Sequence, residues 1–454
     1  MAVNALERPE LALPADGRPV GGRRTTILER RQTLLFFTGM VCTFTNALLQ
    51  NMRQTFTLPN YATPTLALGL VCIFLLMNNK EVMQKLRRKA YMNIFVFYTL
   101  FFALTLYSAY LSKNAVPGSN PITLDILFQL FVFESLCLVV YALATERTNE
   151  LLSCLLVYNG ILVVFNDLLM FGGIRFYAGE FEAFLVGTKF DVIYLHMNFI
   201  ATFLVKLKLS RRQMKEARIP KVMLVTIAAI IVLIGVRVDC NTGMMGVLLL
   251  IALVYVCDRW PETVAKWLGS PWTFLFFLLV SMLFAYYVTW LLNLPVVKHF
   301  IEDTLHRSLT LTGRTDIYTA YTSVMRDNWV WGFGYGNAYP ICMERFHYAD
   351  TQNGILEWIL QVGVVGTVAM VLVFFVIMLF YRKKASLTSG APMLALLYIY
   401  ILLGTVEITI NKNFWLYIIV LFMLACSDPK SAEDTAIKPQ FTPRQTKRRT
   451  RQLV

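Results

Sequence analysis

Hydrophobic and polar positions alternate along this chain on a long wavelength. Apolar runs of roughly 20 residues, the length that crosses ~30 Å of hydrocarbon at ~1.5 Å per residue, are separated by short polar breaks. The runs fall at 33–52, 61–78, 91–112, 123–145, 150–171, 191–207, 222–237, 243–257, 273–292, 355–380, 392–410 and 414–427. Each predicts a membrane-spanning helix, so the expected fold is an all-α polytopic membrane protein of about 12 transmembrane helices. The stretch 222–257 is too long for one span and is interrupted at Arg237-Val238-Asp239-Cys240-Asn241-Thr242-Gly243, which reads as a tight turn between two helices. The count of twelve depends on that turn. Residues 1–32 carry no apolar segment ahead of a small-residue cleavage site and predict a basic segment without a removable signal peptide. A transmembrane domain, 33–427, follows, and 428–454 predicts a disordered basic tail.

Composition narrows the class further. With 57% hydrophobic and 15% charged residues over 454 positions, the chain has too little polar surface for a soluble protein of its size. The formal net charge of +14 would suit nucleic acid, but the placement of the basic residues decides against it. With the N-terminus inside, Lys80, Lys85, Arg87, Arg88 and Lys89, then Lys208, Arg211, Arg212, Lys215, Arg218 and Lys221, then Arg382, Lys383 and Lys384, and finally the tail all fall on one side. That is the positive-inside pattern of a cytoplasmic-membrane protein with both termini in the cytoplasm, and its expected contacts are anionic lipids. The cysteines form no CxxC pair, and only Cys240 and Cys342 fall where a disulfide could form on the outer side.

This topology leaves two substantial outer loops, 172–191 and 293–354, the second of them partly helical, so any chemistry faces outward. All four histidines, His196, His299, His306 and His347, lie in or near them, as do Arg175, Arg237, Arg307, Arg314, Arg326 and Arg345. Thr312, Thr315 and Asp316 are helix-capping types, and Ile317, Tyr321, Val324 and Met325 share one face, so an amphipathic helix should begin beside Arg314. The start of a helix presents unpaired N–H groups, and a guanidinium beside it can grip two phosphate oxygens, which suits a diphosphate. His299, Asp303 and His306 lie on one helical face and would suit a divalent metal. Lys298, Glu302 and Arg307 around them favour a solvated face instead, and no metal is assigned. Glu134, Asp167 and Glu407 fall inside apolar runs, where ionisable groups pair or line a wet cavity. Gly332, Gly334 and Gly336 lack the preceding strand of a nucleotide loop. They are read as turning points for Trp329, Trp331, Phe333, Tyr335 and Tyr339, whose rings would either stack on sugars or form an interfacial belt.

The order Gly313-Arg314-Thr315-Asp316, amphipathic helix, Trp331-Gly332-Phe333-Gly334-Tyr335-Gly336, Gln352-Asn353-Gly354-Ile355-Leu356-Glu357 and Gly363-Val364-Val365-Gly366 resembles the large outer loop of the O-antigen ligase and Wzy-type repeat-unit polymerase superfamily. Arg175-Phe176, Gly187 to His196 and Val238 to Gly243 are a weaker match to the same proteins. The resemblance implies a glycosyltransferase without cofactor or nucleotide sugar, polymerising a surface polysaccharide by passing a growing glycan from polyprenyl diphosphate to a lipid-linked acceptor. A ligase using another acceptor is the alternative within that chemistry, and a flippase or proton-coupled transporter is the alternative outside it. A chain-length regulator and a flippase are the implied partners, besides the lipid-linked oligosaccharide. Arg314 would hold the diphosphate with Arg175, Arg237 and Arg345, and Trp329, Trp331, Tyr335, Gln352 and Asn353 would contact glycan. Where the ligases carry His-Asn this chain has Gln352-Asn353, and glutamine takes no proton, so the base is expected to be His347, then Asp350, then Glu344. Lys189 and His196 either contact phosphate or line the acceptor path, though a satisfied histidine at a span end is the commoner explanation of His196.

Overall fold

A helix lies on every apolar run. The computed structural model describes residues 27–52, 62–80, 89–174, 176–178, 181–210, 219–299, 303, 314–382 and 387–427. In chain order the helices are α1 (Ile27–Met52), α2 (Ala62–Met77), α3 (Lys89–Leu111), α4 (Pro121–Ala144) and α5 (Thr148–Phe171). A hairpin of β1 (Phe176–Ala178) and β2 (Phe181–Ala183) precedes α6 (Lys189–Ser210), α7 (Lys221–Arg237), α8 (Asn241–Arg259) and α9 (Pro271–Leu292). Then come α10 (Arg314–Val324), α11 (Ala338–Arg345), α12 (Gly354–Arg382), α13 (Leu387–Leu403) and α14 (Lys412–Cys426). Among the described residues seven helices are long and apolar enough to cross a membrane, and three more are apolar but shorter. The chain is a multi-pass membrane protein built from helices. The N-terminal segment to residue 26, the tail 428–454, Arg175, His306, Arg307, Thr312 and Gly313 lie outside the described residues, as do the basic positions 85–88, 211–218 and 383–384.

Apolar character all round a helix marks a central element, and α14 is the clearest case. From Asn413 to Ala425 every residue is buried, with Trp415 and Tyr417 fully enclosed. It packs against α4, α12 and α13, while α3 lies along α12, α6 along α5 and α13, and α8 along α13. The periphery inverts the soluble pattern. Val157, Ile161, Val164, Phe165 and Leu168 on α5, and Val222, Val225, Leu233 and Val236 on α7, are exposed, as a surface facing hydrocarbon requires. Inside, polar side chains find one another: Asn159 donates to the Tyr417 hydroxyl at 2.9 Å, and Lys208 pairs with Asp258 at 2.6 Å with both nearly enclosed.

The turn expected between α7 and α8 is present at Val238–Cys240, with Asp239 in the left-handed region at φ 50°. The expected span 392–410 needs correction, because α13 ends at Leu403. Gly404 N bonds Tyr400 O, Thr405 N and Val406 N bond Leu402 and Leu403 carbonyls, and the chain then crosses to α14 as a non-helical segment, 404–411. Hydropathy missed this because Val406, Ile408 and Ile410 prolong the apolar run past the break. Glu407 therefore sits on a connection rather than within a span. The pairing considered for Cys240 and Cys342 is also absent: all eight cysteines are free thiols, these two buried separately.

One span is broken. At Gly363, about 14 Å along α12 from Gly354, the backbone leaves helical geometry at φ 67°, ψ −178°. Backbone groups released there would be costly in an apolar interior, and the segment 329–333 satisfies them. Phe333 N donates to Leu360 O at 2.8 Å, Val364 N to Trp329 O at 2.8 Å, and Val365 N to Val330 O at 3.3 Å. Ser108 on α3 and Ser112 just past its end donate to the Trp331 and Gly332 carbonyls. The two backbones touch. A Cβ on Gly332 would lie 2.5 Å from Gly363 N, and one on Gly363 would lie 2.1 Å from Val330 O. Gly334 and Gly336 press likewise on Pro121 and Leu124 at the start of α4, at positive φ. The glycines are thus contact points between the 293–354 loop and the bundle.

Candidate functional site

The amphipathic helix expected beside Arg314 is α10, and its apolar face is buried through Ile317, Tyr318 and Tyr321. Two tyrosine hydroxyls tie it to the bundle. Tyr321 donates to Leu356 O at 2.7 Å, and the Tyr318 hydroxyl lies 2.9 Å from Gln352 O and 3.2 Å from Thr405 O, spanning the start of α12 and the 404–411 connection. Asn353 fastens the same two segments: its Nδ2 lies 3.0 Å from Ser281 O and 3.2 Å from Thr405 O, and its Oδ1 caps α12 by accepting from Ile355 N and Leu356 N. Both polar atoms of the Asn353 side chain are engaged in holding the fold together, so the glycan contact expected of it is not open.

Arg314 is held in this frame. Its Nε donates to Val406 O at 3.0 Å and its Nη2 meets Glu407 Oε1 at 2.7 Å, with both side chains about seven-eighths enclosed, 15% and 12% exposed. A charge-assisted contact at this distance and this burial is strong and directional. Asp350 stands close to both. Its Oδ1 accepts from Gln352 N at 2.8 Å and Gln352 Nε2 at 2.7 Å, with Gln352 at φ 53°. Burial pushes Glu407 up to about 7, with Arg314 pulling it down and Asp350 adding to the rise. Burial raises Asp350 as well, against the Gln352 hydrogen bonds and Arg314. One guanidinium is therefore flanked by two carboxylates that oppose each other's ionisation, an arrangement suited to binding an anion and accepting a proton. A file of polar side chains runs from here towards the break in α12: Thr351 Oγ1 lies 3.0 Å from Glu357 Oε2, Gln361 Nε2 lies 3.4 Å from Glu357 Oε1, and Gly336 N donates to Gln361 Oε1 at 2.7 Å.

The other expected residues are dispersed. His347 is exposed on a turn at φ 62°. Arg345 is exposed and paired with Glu344 at 3.3 Å, and Arg237 donates to Met170 O at the end of α5 at 3.2 Å. Lys189 Nζ donates to Asp239 O at 3.1 Å. His196 has an oxygen facing each ring nitrogen, Val192 O at 2.7 Å from Nδ1 and Asp167 Oδ2 at 3.1 Å from Nε2. His299 and Asp303 form an exposed ion pair, as a solvated face would. The aromatic rings pack mainly inward: Tyr335 stacks on Phe128 at 4.7 Å between centroids, Trp331 meets Tyr107 edge-on at 4.8 Å, and Trp329 lies 5.9 Å from Tyr321. Tyr335 is thus built into the bundle, and Tyr339, 62% exposed, is the ring left outside. Sequence reasoning missed Tyr318, Glu357 and Gln361, and singled out Glu407 without its partner, 93 residues away.

No protein-family model matches the chain, and no characterised protein matches its sequence.

Proposed function

We propose that this protein is an integral membrane glycosyltransferase of about twelve spans, with both termini in the cytoplasm and its site on the outer face. It extends a surface polysaccharide by moving a growing glycan from polyprenyl diphosphate to a lipid-linked repeat unit. The observation that carries this reading is Arg314, enclosed at the start of α10 against the 404–411 connection and flanked by Glu407 and Asp350. A glycosyl diphosphate needs positive charge on its departing diphosphate and a group to take the acceptor's proton, and this cluster offers both. The motif order around Arg314, set out above, adds the carrier. A ligase passing the same glycan to a different acceptor would need the same cluster, so the acceptor separates the two activities. A broken span is also a transporter feature, but the break at Gly363 is filled by the backbone of 329–333 rather than opened to a cavity, which favours transfer over transport. The test is synthesis by purified protein from lipid-linked repeat units alone. Long glycan without added nucleotide sugar is expected. Movement of the lipid-linked units across a bilayer with no glycan lengthening would overturn the reading in favour of a transporter.

A further inference from the structure

We infer that Glu407 takes the acceptor's hydroxyl proton, and that its ion pair with Arg314 is the resting half of an exchange in which the donor's diphosphate displaces it from the guanidinium. The inference rests on the glycan-transfer reading above and adds a residue and a sequence of events to it. Its basis is the difference between the two carboxylates that flank Arg314. Asp350 is committed, since Gln352 donates to its Oδ1 from both backbone and side chain, contacts that stabilise the anion and weaken it as a base. The carboxylate of Glu407 receives a hydrogen bond from Arg314 alone among the described residues, while its backbone carbonyl accepts from Thr409 N at 3.2 Å. Its backbone is fixed by its neighbours, with Val406 O accepting from Arg314 Nε, and Thr405 O lying within hydrogen-bond reach of both Tyr318 and Asn353. The carboxylate can therefore leave the guanidinium by a side-chain rotation while the connection stays in place. A diphosphate carries more negative charge than one carboxylate and matches the guanidinium fork, so it wins the exchange.

The step then balances. The acceptor hydroxyl oxygen forms a bond to the anomeric carbon as the bond from that carbon to the diphosphate oxygen breaks. The electron pair leaves with the diphosphate, whose charge Arg314 holds, and the hydroxyl proton passes to Glu407 and on to water at the outer face. A base must be ionised to act. With Glu407 lifted to about 7 in the resting protein, kcat/KM should fall as the pH drops below about 7, because that limb reports the free enzyme.

The test compares the whole protein with its Glu407→Gln variant. Glutamine keeps an oxygen to accept from Arg314, so the guanidinium stays oriented while the proton acceptor is lost. Polymer formation should fall about a hundredfold or more, the acid limb should flatten, and the dissociation constant of glycan-free polyprenyl diphosphate should stay within threefold of the wild type or tighten. His347→Ala and Asp350→Asn should retain the limb, whatever their rates. Wild-type turnover with an intact limb in Glu407→Gln overturns the inference and leaves the transfer reading standing. So does disappearance of the limb in His347→Ala or Asp350→Asn, which would hand the proton to that residue. Loss of polyprenyl diphosphate binding in Glu407→Gln would reduce Glu407 to a positioning residue for Arg314 and overturns it too. A wild-type protein that makes no polymer ends the reading and the inference together.

Discussion

Replacing Gly363 by alanine should be among the most damaging single-methyl changes this protein can suffer. The residue sits at φ 67°, ψ −178°, a region reached almost only by glycine, where a side chain costs about 1–3 kcal/mol in strain. The added carbon would also lie 2.1 Å from Val330 O, which must move. That movement pulls on three backbone bonds, Phe333 to Leu360, Val364 to Trp329 and Val365 to Val330. Each buried group left unpaired costs about 1–3 kcal/mol. A loss of about 2–9 kcal/mol follows from the strain plus one or two broken bonds. Gly173→Ala is the matching control: its φ is +77°, yet nothing lies within 4 Å of the new carbon, so it incurs only conformational strain, about 1–2 kcal/mol. Denaturant unfolding in detergent measures both variants, and proteolysis at Arg326 reports whether the loop has left the bundle. If Gly363→Ala is no less stable than Gly173→Ala, the docking of 329–333 into the broken span is not what holds the loop.

Two further perturbations test the frame and its orientation. Asp258→Ala should cost about 3–5 kcal/mol, because it removes the buried carboxylate that lies 2.6 Å from Lys208, itself 5% exposed, and that accepts from Ile219 N; the double variant Lys208→Ala/Asp258→Ala should recover part of that loss, and a double variant as unstable as the sum of the two singles would refute the pairing. A cysteine placed at Tyr339, an exposed ring of the loop, should be labelled by a membrane-impermeant maleimide added to intact cells, whereas one at Arg211 should be labelled only after lysis; labelling of both from the same side would end the outward-facing account.

What the sequence made legible was whatever local periodicity or local charge could carry. The boundaries of α3 to α6, α8, α9 and α12 follow the apolar runs closely, because a lipid-spanning helix must be apolar over its own length. Helix α10 was legible for the same reason on a smaller scale, through the spacing of Ile317, Tyr321 and Met325. The end of α13 was not, since Val406, Ile408 and Ile410 are as apolar as a span, and it takes tertiary contacts such as the bond from Gly354 N to Gly404 O at 2.8 Å to show where the chain turns. The break at Gly363 left no local sign either: its cause is the backbone of Trp329 to Phe333, more than a turn of any periodic pattern away. The site divides along the same line. Arg314 announced itself by its place beside a helix start, and Asp350 and Gln352 by their nearness to α12. The partner that fixes the guanidinium, Glu407, comes from a segment whose neighbourhood is set by tertiary packing, and the exposed turn at His347 is invisible to a reading that ranks bases by side-chain chemistry.

The central claim is that the guanidinium of Arg314 holds the diphosphate of a lipid-linked glycan donor. Polymer formation from purified lipid-linked repeat units, by wild type, Arg314→Lys and Arg314→Ala at matched amounts of folded protein, tests it most directly. One arm contains a chelator to test for a metal at His299, Asp303 and His306. Thermal unfolding of each preparation accounts for the cost of leaving Glu407 without its ion pair. The account predicts that Arg314→Ala loses about a hundredfold or more of the rate and that lysine restores only part, since a point charge cannot replace a two-pronged donor, with no effect of chelator. Wild-type rates from folded Arg314→Ala would contradict it.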